Sequence, residues 1–79
     1  MKNAKIINDN QKEYCANNNA SGTLAKLYAI FPNKKKDELI SSFVLSQTYT
    51  KLYDYSTELW KEGVDYILNL FLEENSSIN

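Results

Sequence analysis

The chain has 79 residues, nine lysines against ten acids, no arginine, and a formal net charge of −1. A chain of that length fits one domain with a single small core and marginal stability. Its lone cysteine, Cys15, and its lack of histidine exclude an intrachain disulfide and a tetrahedral zinc site, so packing or association with another chain must supply what those staples would.

Taken in chain order, the first segment, 3–18, has only a weak helical stripe in which Ile7 and Tyr14 stand two turns apart. The run Asn17-Asn18-Asn19-Ala20-Ser21-Gly22 reads as a turn, because asparagine and glycine tolerate left-handed backbone angles. Leu24, Leu27, Tyr28 and Phe31 then lie on one face of a helix over 23–31, which Pro32 ends. Asn33 offers a cap for a third helix, with Asp37 and Glu38 in its early turns and Leu39, Ile40, Phe43 and Val44 as its buried stripe. Ser46 can cap a short fourth helix carrying Tyr49, Leu52 and Tyr53, although one continuous helix over 36–53 fits the same pattern. A break follows at 54–57, and 57–61 reads as extended, with Leu59 and Trp60 on opposite sides. The last helix spans 64–75 with Gly63 at its cap. Val64, Ile67, Leu68 and Phe71 form its stripe, which Tyr66, Leu70 and Leu72 widen beyond the ~100° a surface helix needs.

These elements predict an all-α single domain over 1–79, a bundle of four to five short helices with a short extended segment near 57–61 and frayed ends at 1–4 and 75–79. Met1 to Asn10 is polar apart from Ile6 and Ile7 and does not read as a signal peptide. No apolar run approaches the ~20 residues that cross a bilayer. A lone unpaired cysteine fits a reducing compartment, which points to the cytoplasm.

The chemistry-bearing residues are sparse. There is no histidine to serve as base for a hydroxyl nucleophile, and Gly22 and Gly63 are too few for a phosphate-binding loop. The carboxylates read as solvated charges, so neither an enzyme nor a cofactor is expected. Charge is uneven: residues 1–40 hold seven lysines and four acids, residues 41–79 two lysines and six acids. The triplet Lys34 to Lys36 at a helix start offers a nucleic acid-binding regulator as the alternative reading, disfavoured by the absence of arginine.

Trp60, six tyrosines and three phenylalanines make up 13% of the chain. Most fall on the helical stripes, whereas Tyr53, Tyr55 and Trp60 gather around Asp54 and cannot all face inwards. Exposed aromatic rings beside acids suit a protein-binding surface. Tyr53, Asp54, Tyr55, Glu58, Trp60, Glu62 and Leu70 are therefore the expected partner-binding residues, with Asp65 among the acids that would steer a basic partner. Self-association through 64–72 would be a second way to cover the wide last helix.

The stretch SQTYTKLYDYSTELWKEGVDYI, Ser46 to Ile67, resembles a pattern in short, uncharacterised bacterial helical proteins. In that pattern a helix ends at a serine, and a Thr-Tyr pair, a leucine, an aspartate, a Thr-x-Leu-aromatic segment and a glutamate lead to a last helix near a Tyr-Ile pair. The matching residues are Ser46, Thr48, Tyr49, Leu52, Asp54, Thr57, Leu59, Trp60, Glu62, Tyr66 and Ile67. Glycine is common where this chain has Glu58, and proline where it has Val64. Such proteins tend to be encoded beside toxin–antitoxin-type genes. The resemblance thus implies an antitoxin or accessory role, with a toxin as the partner, and brings no catalytic residues.

Overall fold

In a computed structural model that describes residues 9–76, the asparagine-rich run expected to turn is helical. Helix α1 (Asp9–Ile30) passes through 17–22 without a break, so the two helices expected over 3–18 and 23–31 are one. The part of that expectation before Asp9 lies outside the described residues, as do 1–4 and 77–79 of the ends expected to fray. Tertiary contacts override local turn chemistry here. Ala16, Ala20, Thr23 and Leu27 are buried on one face of α1, and the small members of that stripe admit close neighbours. Gly22 serves closeness as well: its φ is not positive, and a Cβ in its place would lie 2.6 Å from Cγ2 of Val64. The Asn19 amide donates to the carbonyls of Trp60 at 2.9 Å and Glu62 at 2.7 Å. It satisfies irregular backbone far along the chain instead of turning its own.

Pro32 ends α1 where expected, but Asn33 does not cap the next helix. A turn closed by Lys34 N–H donating to the Phe31 carbonyl at 3.1 Å delays helix α2 (Lys36–Val44), whose N-cap is Lys35 with no side-chain bond. Asp37 and Glu38 fall in its first turn, where the helix dipole favours negative charge. Leu39 and Phe43 are buried, while Ile40 and Val44 are exposed, so only half of the expected stripe faces the core. Ser46 then separates two helices: its hydroxyl accepts from Tyr49 N–H at 3.0 Å, capping α3 (Gln47–Tyr53).

The segment expected to be extended is two 3-10 turns, Tyr55–Thr57 and Leu59–Lys61, hinged at Glu58 in a left-handed conformation with φ 61°. Asp54 caps the first turn, accepting from Ser56 N–H at 3.2 Å and its hydroxyl at 2.7 Å. The Thr57 hydroxyl donates to the Lys51 and Asp54 carbonyls and accepts from Leu59 N–H at 3.1 Å. This polar knot curls the chain so that Leu59 and Trp60 are both buried instead of lying on opposite sides. Helix α4 (Val64–Ser76) follows and includes Asn75 and Ser76, which were expected to fray.

Among the described residues there are four α-helices, two 3-10 turns and no strand, which is the small all-α bundle the sequence predicts. Its core joins Ala16, Ala20 and Leu27 of α1, Leu39 and Phe43 of α2, Leu52 of α3, Leu59 and Trp60, and Ile67, Leu68 and Phe71 of α4. Phe43 sits at the centre, with Tyr49 and Phe71 edge-on at ring distances of 5.4 Å. One polar atom spoils this core: Thr23 Oγ1 is buried and has no hydrogen-bond partner among the described residues. No helix among the described residues is long and apolar enough to cross a membrane.

Candidate functional site

Most of the expected partner-binding residues do structural work between α1, the 3-10 turns and α4. Trp60 is 7% exposed and its indole N–H donates to the Tyr55 carbonyl at 3.1 Å, which corrects the expectation that it stands on the surface. Lys12 lies over its ring, 5.8 Å from the centroid. Tyr53 is half-buried, stacks obliquely on Tyr49 at 4.8 Å and donates its hydroxyl to Asn17 Oδ1 at 2.6 Å. Burial pushes the Tyr53 phenol up to about 12, with Tyr49, Tyr55 and Glu13 adding to the shift. The Tyr55 phenol is also raised, by desolvation and then by Glu13 and Asp9. Glu58 pairs with Lys61 at 3.0 Å, and Asp65 with Lys26 at 2.7 Å. Glu62 is exposed, its carbonyl held by Asn19, and Leu70 is half-buried against the core.

The lysine triplet is not a uniform basic patch. Lys36 reaches back over the Tyr28 ring at 5.1 Å, and Asp37 and Glu38 follow directly in the same turn of chain. Cys15 is half-buried, and no group of three or more potential metal ligands gathers among the described residues.

A second feature emerges where α2 and α4 stand apart. Between them, below the end of α1, runs a cleft of about 760 Å³. Phe31, Leu39, Phe71 and Leu72 give it apolar walls, and Lys34, Asp37, Glu38, Ser41, Ser42 and Asn75 complete its lining. The cleft exists because α4 is fastened elsewhere. Near its C-terminus, the Glu74 carboxylate accepts from Gln47 N–H at 2.8 Å, and from Thr48 N–H at 3.0 Å and the Thr48 hydroxyl at 2.9 Å. Glu74 thereby caps the start of α3 from a distance and draws α4 towards α3, leaving Leu72, beyond the Phe43–Phe71 contact, only partly covered on the flank facing α2. Desolvation pulls the Glu74 carboxyl upwards, but the donors from Gln47 and Thr48, helped by Lys51, outweigh it and hold the carboxyl below the ordinary value.

In the sequence Leu72 stands out as surplus to the last helix, and nothing marks the cleft. The legible signal was the over-wide stripe of α4; the pairing of Leu72 with Leu39 and Phe31 needed the packing order of the helices. Beyond the cleft, Leu45 is 85% exposed and Ile40, Val44, Ile30, Tyr14 and Tyr66 also reach solvent. No protein-family model, curated protein or solved structure matches the chain. Fold and site therefore define its class as a small all-α domain with an open, apolar-walled cleft.

Proposed function

We propose that this chain is a non-enzymatic protein-binding module, acting as an antitoxin-like or accessory partner of another protein. The observation that carries the reading is the cleft between α2 and α4, where Phe31 and Leu72 are left half-buried over the core residues Leu39 and Phe71, by a chain too short to cover them fully. Its form suits side-chain recognition: helices wall it, their backbone groups are already bonded, and burial of apolar surface is the driving force they can offer. The resemblance of 46–67 to proteins of toxin–antitoxin neighbourhoods supports the partner class. Of the residues expected to bind, Glu62 is exposed and within a partner's reach, whereas Trp60 contributes by holding the 3-10 turns in place.

The test is capture of partners from the native cell with the tagged protein and two tryptophan variants. Ser42 lines the cleft and is exposed, so Ser42→Trp should fill the cleft and abolish capture of the main partner. Thr50→Trp, at an exposed position on α3, should leave capture intact. Capture unaffected by Ser42→Trp but lost on Glu62→Gln or Tyr55→Ala would overturn the cleft as the site.

A further inference from the structure

We infer that the occupant of the α2–α4 cleft is an amphipathic helix of the partner whose apolar stripe is bordered by lysine or arginine. This rests on the cleft being the binding site and adds the partner's chemistry. A helix suits because it arrives with its backbone hydrogen bonds made, and neither α2 nor α4 has a free sheet edge to extend an incoming strand. Leucine-like anchors at i, i+3, i+4 and i+7 would meet Phe31, Leu39, Phe71 and Leu72.

Charge decides the flanks of that helix. Asp37 and Glu38 line the cleft, are exposed, and make no ion pair among the described residues. At the other wall, α4 ends with no basic residue in its last turn, and the Phe71 and Glu73 carbonyls there accept from the neutral side chains of Asn75 at 2.8 Å and Ser76 at 3.0 Å, so that wall adds no positive charge. Lys34 is the one cation of the lining. Cations bordering the incoming stripe are attracted to the Asp37 and Glu38 wall, and an acidic helix is repelled there. The same reasoning disfavours a second copy inserting its own α4, which carries Asp65, Glu73 and Glu74.

Two synthetic helical peptides of about 14 residues, with one leucine stripe and either lysine or glutamate flanks, separate the alternatives. Titrated into the full chain and followed by amide and methyl NMR, the lysine peptide should bind, with shifts centred on Leu39, Ser42, Phe71 and Leu72. The glutamate peptide should bind at least about tenfold more weakly. The double variant Asp37→Asn/Glu38→Gln, checked for an unchanged cooperative melt, should reduce that ratio to about threefold or less, and Ser42→Trp should remove both signals.

Equal affinity for the two peptides, shifts away from the cleft, or a ratio untouched by the double variant would overturn the inference. A peptide-free dimer that Ser42→Trp dissociates would overturn it too, since a second copy would then fill the cleft. If the peptides fail to discriminate while Ser42→Trp still abolishes capture from cells, the basic helix is wrong and the binding cleft stands. If the peptides discriminate but cellular capture ignores Ser42→Trp, it is the functional reading that fails.

Discussion

The two flanks of α4 have been treated in opposite ways. Towards α1 and the 3-10 turns, every kind of fastening is present: Gly22 against Val64, the Asn19 amide on two carbonyls, the Lys26 to Asp65 ion pair and the buried Trp60. Towards α2, Phe71 meets Phe43 edge-on, and beside it the half-buried Leu72 borders a cleft. The contrast teaches that most of the expected binding residues and the cleft are on different sides: Tyr53, Asp54 and Trp60 help to close the fold, while Glu58 and Glu62 stay exposed. The surplus apolar surface lies where the sequence showed only one flank of one helix.

Removing the largest fastening should break the closed side outright. Trp60→Ala deletes a buried ring and its hydrogen bond, and should cost about 3–5 kcal/mol, a large part of the stability of a domain this small. Chemical denaturation should show the loss, and a variant within 1 kcal/mol of the parent would return Trp60 to the surface role. Asn19→Ala leaves the Trp60 and Glu62 carbonyls without their amide donor and should cost about 2 kcal/mol. If asparagine acts there only as a turn former, alanine would instead stabilise the helix.

The clamp that keeps α4 on α3 can be probed with pH. Glu74→Gln should cost about 1 kcal/mol near neutrality, a modest figure because the group is partly solvated. Since the folded carboxyl is held below the ordinary value of 4.5, its contribution is complete above that pH and is lost as pH falls through the lowered folded value. Parent and variant melting curves should therefore converge in acid, and a gap independent of pH would show that the carboxylate charge is not what holds the clamp. The smallest expected effect is a gain. Glu58 has φ 61°, where a side chain costs energy that glycine avoids, and its ion pair with Lys61 is exposed and worth little. Glu58→Gly should stabilise by about 0.5 kcal/mol, read as a higher melting temperature. A loss would mean that the Lys61 contact outweighs the backbone strain.

From Pro32 onward much of the chain was legible because local rules and the fold agree there, except at 57–61, where side-chain hydrogen bonds curl a segment expected to be extended. Pro32 stops α1, Ser46 caps α3, Asp54 opens the first 3-10 turn, and α4 follows its own apolar stripe. The first half resisted reading. Alanine, glycine and threonine form the inner face of α1, and such small residues give almost no periodic signal even though they set how closely helices approach.

Composition and patterning alone thus determined the all-α class, the stop at Pro32 and the lack of residues for a disulfide or a histidine-containing metal site, because each depends on residues near in sequence or on simple counts. Only the tertiary structure decided that 9–30 is one helix, that Trp60 is interior and that a cleft opens between α2 and α4. Those outcomes depend on contacts between residues some forty positions apart, such as Asn19 with Trp60 and Glu62, whose hydrogen bonds and packing outweigh local backbone preferences of well under 1 kcal/mol per residue.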